Sequence, residues 1–236
     1  MIVTNTIRLG LSLIFLAILA ACSENTAAPT IPDVEADETA SPAEGSAVPI
    51  IVMLGDSLTA GFGLPDGEAL PAELERQLDS LGVSADLINA GVSGDTSANG
   101  LARYDWSVRA ANPDILIIAL GANDFLQGVS PSTVRDNLAA ILTRAQDGEM
   151  DIVMAGLDPR ETVPGQSITS AYTSVYEDLA AEFEVPLYPD LLEGVWDDPT
   201  LLQADGLHPT AEGIDLVAQQ LAAFLIASNI LEADES

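Results

Sequence analysis

The sequence contains a single histidine, and the residues placed near it or able to reach it decide which chemistry the chain can support. His208 follows Asp205 by three residues in the segment Asp-Gly-Leu-His-Pro, and Ser57 lies in the segment Gly-Asp-Ser-Leu. A serine hydroxyl becomes a nucleophile when a base accepts its proton and a carboxylate holds that base in one tautomer. Ser57, His208 and Asp205 are therefore the candidate set for nucleophilic catalysis.

Two further polar turns could stabilise the negative charge that develops when a serine attacks a carbonyl group. Such an oxyanion needs hydrogen-bond donors fixed in advance, and a backbone N–H freed by a tight glycine turn or a side-chain amide can serve. Gly94 lies in Ser-Gly-Asp-Thr, and Asn123 lies in Gly-Ala-Asn-Asp. Each turn alone is a weak signal, because the same residue types also cap helices and brace loops.

Strand-like and helix-like segments alternate along the body of the chain. Continuous apolar runs predict buried parallel strands, and amphipathic segments that begin at proline or serine predict helices. The predicted strands span residues 48–54, 85–89, 114–120, 151–155 and 185–188. The predicted helices span residues 71–81, 97–111, 132–146, 170–183 and 209–227. This alternation predicts right-handed crossovers and one three-layer α/β domain over residues 48–229, followed by an acidic tail over residues 230–236.

The polar turns follow the predicted strands in a way that brings the candidate residues together. The carboxyl ends of parallel strands share one edge of the sheet, which is where open α/β sheets bind ligands. The turns after the first three predicted strands carry Ser57, Gly94 and Asn123. The turn before the last predicted helix carries Asp205 and His208. We therefore expect the five residues to converge on one rim.

The composition argues against several other classes of function. The 236 residues include 37 Asp or Glu, seven Arg and no Lys, so the formal net charge is −30. Nucleic-acid binding depends on Lys and Arg that neutralise phosphates, so such a partner is close to excluded. One histidine argues against zinc sites built on several imidazoles, whereas an all-carboxylate calcium site stays open. We expect no metal and no cofactor, and the acidity is also consistent with a saline habitat.

The N-terminal segment is typical of an export signal. Residues 1–21 hold one cation, Arg8, and an apolar run too short to span a bilayer comfortably. The run ends in Leu-Ala-Ala-Cys, which resembles the lipobox of bacterial lipoproteins, so Cys22 would carry diacylglycerol after cleavage. The alternatives are a soluble export signal with a chance cysteine, or an uncleaved anchor. Residues 22–47 are predicted to form an acidic linker, because they contain proline and no aromatic residue.

A lipidated Cys22 would attach the protein to the membrane of the bacterial cell envelope, on its periplasmic side. Ser23 stands where some bacteria use aspartate to retain a lipoprotein in the inner membrane. By that resemblance we expect the outer membrane rather than the inner one. A monomer is the default expectation for the oligomeric state.

The segments around the candidate residues resemble those of the SGNH, or GDSL, hydrolases. The resemblance covers residues 49–226, and the run over residues 89–96 followed by Gly-Leu-Ala-Arg narrows it to one branch. That branch is described as acyl-CoA thioesterase, lysophospholipase and arylesterase of the bacterial envelope. The resemblance implies a flavodoxin-like fold with a five-stranded parallel sheet, and hydrolysis of small acyl esters or thioesters through an acyl-enzyme.

The same resemblance assigns a role to each candidate residue. Ser57 would be the nucleophile and would also donate its backbone N–H to the oxyanion. Gly94 and Asn123 would be the other two donors, and Asp205 and His208 would complete the triad. Two alternatives stay open: a carbohydrate O-acetylesterase of the same superfamily, or a non-catalytic lipoprotein that binds acyl chains or a partner.

Two segments bear on substrate choice. Residues 157–164 stand where close relatives often carry a Pro-Pro-Asn-type loop on the acyl side of the pocket, so acyl preference stays open. Residues 125–128 resemble a mobile loop that closes over an acyl chain, although ordinary packing at a helix start would explain them equally well.

Several other residues are expected to have structural roles. Asp56 and Asp124 are expected to brace turns through backbone hydrogen bonds. Three arginines are expected to form surface ion pairs, and two tryptophans are expected to pack in the core or in loops. These residues are Arg103, Arg109 and Arg135, and Trp106 and Trp196.

Overall fold

The computed structural model describes residues 48–159 and 168–233. The predicted export signal, Cys22 and the acidic linker lie outside the described residues, as does most of the loop over residues 157–164. Within the described ranges, no helix is both long enough and apolar enough to cross a membrane.

Five parallel strands form the central sheet. They are β1 (Ile50–Gly55), β2 (Asp86–Gly91), β3 (Ile115–Ala119), β4 (Asp151–Ala155) and β5 (Leu187–Tyr188). Their order in the sheet is β2-β1-β3-β4-β5, and each neighbouring pair is parallel. The strand order reverses at β1 and β3, and open sheets of this kind bind ligands at such a point. The predicted flavodoxin-like α/β fold is confirmed.

The helices pack on both faces of this sheet. They are α1 (Ser57–Ala60), α2 (Leu70–Ser80), α3 (Ser97–Ala102), α4 (Tyr104–Ser107), α5 (Ala122–Gln127), α6 (Pro131–Asp147), α7 (Ile168–Phe183) and α8 (Ala211–Ala227). Short 3₁₀ turns occur at Asp66–Glu68, Arg109–Ala111 and Pro199–Leu201. The apolar side chains that alternate along β1 divide between two core clusters, one containing α2 and α8 residues and the other containing α6 and α7 residues.

Two predicted elements differ from the observed ones. The helix predicted over residues 97–111 is broken into α3, α4 and a 3₁₀ turn, because Arg103 leaves helical geometry with φ −99° and ψ 6°. The strand predicted over residues 185–188 is shortened to Leu187–Tyr188, since only these residues pair with β4.

The carboxyl end of β1 passes into α1 without a loop. Asp56 caps α1 by accepting a hydrogen bond from the backbone N–H of Leu58 at 3.0 Å. Gly55 permits this close packing, since a Cβ there would lie 2.0 Å from the hydroxyl oxygen of Thr59. The turn therefore holds Ser57, the first residue of α1, at the carboxyl edge of the sheet.

Candidate active site

Ser57, His208 and Asp205 form a continuous chain of hydrogen bonds. The Oγ atom of Ser57 lies 2.9 Å from Nε2 of His208, and Nδ1 of His208 lies 2.7 Å from Oδ2 of Asp205. The carboxylate accepts a hydrogen bond from the Nδ1–H group of the neutral imidazole, which leaves Nε2 unprotonated and able to accept the hydroxyl proton of Ser57. The structure therefore brings together the three residues that the sequence predicts as nucleophile, base and orienting carboxylate.

The loop that carries Asp205 and His208 is braced by its own backbone. Oδ1 of Asp205 accepts the N–H groups of Leu207 and His208 at 2.9 and 3.0 Å. Gly206 has φ +68°, a left-handed conformation that suits glycine at this tight turn. The ends of the loop are closed by an antiparallel bridge between Leu202 and Pro209. The spacing of three residues thus fixes the carboxylate beside the imidazole.

Hydrogen bonding keeps Asp205 ionised. The bond from the His208 ring is the main cause, and the N–H groups of His208 and Leu207 add to it; together they lower the pKa of Asp205 to about 2. A carboxylate that stays charged at neutral pH orients the imidazole and stabilises its cation.

Phe62 and Gln203 support the imidazole from outside the predicted set. The ring of Phe62 lies over the ring of His208, with 4.3 Å between centroids and 31° between planes. The amide Nε2 of Gln203 donates to the backbone carbonyls of Phe62 and Pro209 at 2.7 and 2.8 Å. One side chain therefore ties the loop after α1 to the loop of His208. Neither role could be predicted from a sequence motif, since 141 positions separate Gln203 from Phe62.

The predicted oxyanion donors lie around the same cavity as Ser57. Gly94 lines this cavity with φ +88°, and Asn123 lines it from the start of α5. Nδ2 of Asn123 donates to the backbone carbonyl of Asp95 at 3.0 Å and lies 3.3 Å from Oδ2 of Asp56. The five predicted residues thus converge on one rim, as the strand ends imply.

Asp56 and Asp124 brace the turns beside Ser57 and Asn123, as expected from the sequence. Asp124 is buried and accepts both the N–H and the hydroxyl of Ser97 at 2.7 Å. Asp56 is 1% exposed, and burial raises its pKa to about 6 although the Leu58 N–H opposes the shift. The candidate site therefore contains a second carboxyl group, Asp56, whose pKa of about 6 lies well above that of Asp205.

The cavity beside Ser57 has a volume of about 240 Å³ and is predominantly apolar. Its apolar lining residues are Leu58, Phe62, Ala122, Leu126, Leu157, Leu192, Trp196 and Leu207. Apolar walls with a few convergent polar groups are typical of sites for small organic ligands. No group of three or more His, Cys, Asp or Glu side chains in residues 48–159 and 168–233 could hold a metal ion.

The segment over residues 125–128 contributes to both the core and the cavity. Phe125 packs edge-on against Tyr172, with ring centroids 5.2 Å apart. Leu126 is 57% exposed and lines the cavity. Phe125 therefore has the role in helix-start packing that the sequence allows. Leu126 is the side chain placed to contact a ligand.

Two of the residues expected to have structural roles are placed differently. Arg103 is 7% exposed and bonds inward, so its assignment to a surface ion pair is wrong. Trp106 is 68% exposed, so its expected packing is also wrong, because residues two apart on a helix face opposite sides and Tyr104 is the buried one. Arg135 does form an exposed ion pair, with Glu182, and Trp196 packs against the core.

The parallel sheet and the Ser-His-Asp hydrogen-bond chain at its carboxyl edge place the protein in the class of α/β serine hydrolases. Within this class, the family model described as "GDSL-like Lipase/Acylhydrolase family" matches residues 53–216. The chain belongs to this family.

Named relatives agree with this assignment. An arylesterase of Vibrio mimicus is 34% identical over 179 residues, which are 75% of this chain and 88% of the relative. Thioesterase 1/protease 1/lysophospholipase L1 of Escherichia coli strain K12 is 33% identical over 179 residues, or 75% of this chain and 83% of the relative. The crystal structure of AlinE4, a SGNH-hydrolase family esterase, matches with a TM-score of 0.65 and 38% identity, covering 78% of this chain and 97% of that one. The protein is thus an SGNH serine esterase, a hydrolase acting on ester bonds.

Proposed function

We propose that the protein hydrolyses small carboxylic esters or thioesters through an acyl-enzyme on Ser57. The observation that carries the proposal is the unbroken hydrogen-bond chain from Asp205 through His208 to Ser57, with distances of 2.7 and 2.9 Å. Distances of this length fall within the reach that general base catalysis requires.

In the proposed mechanism, His208 Nε2 accepts the hydroxyl proton as Ser57 Oγ bonds to the carbonyl carbon of the substrate. The oxyanion accepts hydrogen bonds from the N–H groups of Ser57 and Gly94 and from the amide of Asn123, which exchanges its longer bond to Asp56 for one to the oxyanion. The intermediate collapses to an acyl-enzyme while His208 returns the proton to the leaving group. His208 then accepts a proton from a water molecule as the water attacks the acyl-enzyme. The carboxylic acid leaves, and Ser57 recovers its proton from His208.

The apolar walls of the cavity support an acyl substrate of the arylesterase, lysophospholipase or thioesterase type. A cavity lined by leucines and aromatic rings gains free energy from each buried CH₂ group, about 0.8 kcal/mol. A site selective for acetylated sugars would need polar partners for the sugar hydroxyls. The apolar surface of this cavity therefore favours an acyl chain longer than acetyl.

The experiment that tests this function compares p-nitrophenyl esters from C2 to C12, and an acetylated sugar beside them, for the wild type and Ser57→Ala. We expect hydrolysis that extends to C6 and longer chains and is lost in Ser57→Ala. A steep preference for acetylated sugars would instead favour a carbohydrate O-acetylesterase. No hydrolysis of any ester by the wild type would favour a non-catalytic acyl-binding protein.

We also propose that residues 1–21 are a lipoprotein signal peptide and that Cys22 is acylated. Residues 22–47 would then be a linker that joins the lipid to the domain over residues 48–229. The sequence predicts an acidic tail over residues 230–236, but Leu231 packs in the core of the domain, so the tail is confined to the residues that follow it. The support is the Leu-Ala-Ala-Cys sequence, in which the sole cysteine follows an apolar run. This arrangement would hold a monomer at the periplasmic side of the outer membrane.

Metabolic labelling with an alkyne fatty acid tests the anchor. The wild type should incorporate label and fractionate with outer membranes, whereas Cys22→Ala should not incorporate it. Incorporation that is unchanged in Cys22→Ala would exclude this site of lipidation.

A further inference from the structure

Arg103 is the only buried arginine among the described residues, and each nitrogen of its guanidinium group has a partner. Nε donates to the carboxylate of Asp95 at 2.6 Å, and Nη2 donates to the backbone carbonyl of Gly55 at 2.9 Å. Nη1 donates to the hydroxyl of Ser107 at 3.0 Å. The group is therefore held in one orientation by three different segments of the chain.

Two of these partners belong to the segments that carry the proposed oxyanion donors. Gly55 ends β1 and lies two residues before Ser57. Asp95 directly follows Gly94, and its backbone carbonyl accepts the amide of Asn123 at 3.0 Å. Through Asp95, the guanidinium group is linked both to the turn of Gly94 and to the side chain of Asn123.

We infer that Arg103 is a positioning residue for the oxyanion hole. It fixes the turn that contains Gly94 and Asp95 against the end of β1, and it thereby fixes Asn123 relative to Ser57. Arg103 does not line the cavity and acts only through these partners. This inference rests on the proposed function, because an oxyanion hole has meaning only for an acyl-transfer site.

The planar, forked shape of the guanidinium group is what the arrangement requires. A lysine ammonium group would keep the positive charge, but its single nitrogen could not bond the Asp95 carboxylate, Gly55 and Ser107 in three fixed directions. The third bond, to Ser107 in α4, extends across the break between α3 and α4. The chain departs from helical geometry at Arg103, where the side chain points inward.

The experiment compares Arg103→Lys with Arg135→Lys, the same substitution in the exposed pair with Glu182. We measure kcat and KM for p-nitrophenyl butyrate, the Ki of an alkyl trifluoromethyl ketone whose hemiketal mimics the oxyanion, and Tm. Arg103→Lys should lower kcat by about 10- to 100-fold, the range for a displaced donor, with KM nearly unchanged. The Ki should rise by the same factor as kcat/KM falls, and Arg135→Lys should change none of these.

Measuring the effect of Arg103→Lys in the Asn123→Ala background is a second test, because a purely structural role of Arg103 would give the same effect in both backgrounds. If Arg103 acts through Asn123 and Gly94, Arg103→Lys should cost several-fold less activity in the Asn123→Ala background than in the wild type. Equal costs in both backgrounds, or an Arg103→Lys effect on KM or Tm alone, would overturn the inference.

Asp95→Asn carries the same test if Arg103→Lys does not fold. This variant weakens the ion pair while its backbone carbonyl still accepts the Asn123 amide, and a normal kcat in it would overturn the inference. A wild type without esterase activity would refute the proposed function instead. An active wild type with a fully active Arg103→Lys would refute only the role of Arg103.

Discussion

Asp56 and Asn123 meet beneath the candidate oxyanion site, with 3.3 Å between Oδ2 of Asp56 and Nδ2 of Asn123. Asp56 also accepts the N–H of Leu58 and so holds the turn that presents Ser57. One buried carboxyl group therefore braces both the proposed nucleophile and a proposed oxyanion donor. Burial disfavours the ionised form of Asp56, so the free energy of unfolding should depend on pH.

Asp56→Asn should change the pH dependence of the free energy of unfolding. Burial raises the pKa of Asp56 from 3.8 to about 6. The free energy of unfolding of the wild type therefore falls as the pH rises from 3.8 to about 6, and it stays at the lower value above that range. The variant lacks this group. Its free energy of unfolding, relative to the wild type, should rise by about 2 kcal/mol between about pH 4.5 and about pH 7.5.

Urea denaturation across this pH range measures the difference directly. The same substitution at the exposed Asp66 is the control for the removal of one negative charge. A difference between Asp56→Asn and the wild type that is flat with pH would contradict the raised pKa.

Asn123→Ala should reduce kcat by about 10²- to 10³-fold, as the loss of one oxyanion donor does. The reduction should fall on kcat more than on KM, because the oxyanion exists only in the transition state and the intermediate. Steady-state kinetics with a p-nitrophenyl ester measures both constants. Asn137→Ala on α6, which removes an amide bonded to Ser97, is the matched control; a wild-type rate in Asn123→Ala would remove Asn123 from the site.

Phe62→Leu should lower kcat by about 2- to 10-fold, since an aromatic pair contributes about 0.5–1.5 kcal/mol beyond its buried area. Leucine keeps an apolar side chain at the cavity but removes the ring that lies over His208. Leu126→Ala is the comparison, because Leu126 lines the cavity and should affect only KM for longer chains. If both variants changed KM alone, Phe62 would have no role in holding the imidazole.

The net charge predicts discrimination against polyanionic leaving groups. The chain carries a formal charge of −30, and the described residues that line the cavity include no arginine. Repulsion between like charges should slow the encounter with an acyl-coenzyme A, and salt should relieve it. The kcat/KM for butyryl-coenzyme A should therefore rise with ionic strength, while that for p-nitrophenyl butyrate stays constant. A kcat/KM for the thioester that falls with salt would indicate a cationic subsite instead.

The fold and the convergence of five residues were predictable because both depend on local patterns. The apolar run of β1 ends at Gly55, and the polar turn that follows it places Ser57 at the edge of any parallel sheet. His208 is the only imidazole, so its pairing with Asp205 needs no knowledge of the tertiary structure.

The supporting contacts were not predictable, because they join residues far apart in the sequence. Arg103 lies in a segment with helical periodicity, and its buried bond to the carbonyl of Gly55 joins residues 48 positions apart. Gln203 donates to the carbonyl of Phe62, which lies 141 positions earlier, and no sequence motif predicts a contact over that distance. The exposure of Trp106 likewise follows from the orientation of α4, in which Tyr104 is the buried residue.

Mass spectrometry of the protein after reaction with a fluorophosphonate probe tests the central claim most directly. The account predicts one covalent adduct, on the peptide that contains Ser57, and its loss in Ser57→Ala and His208→Ala together with esterase activity. Labelling at another residue, or an unlabelled Ser57 in an active enzyme, would contradict nucleophilic catalysis by Ser57.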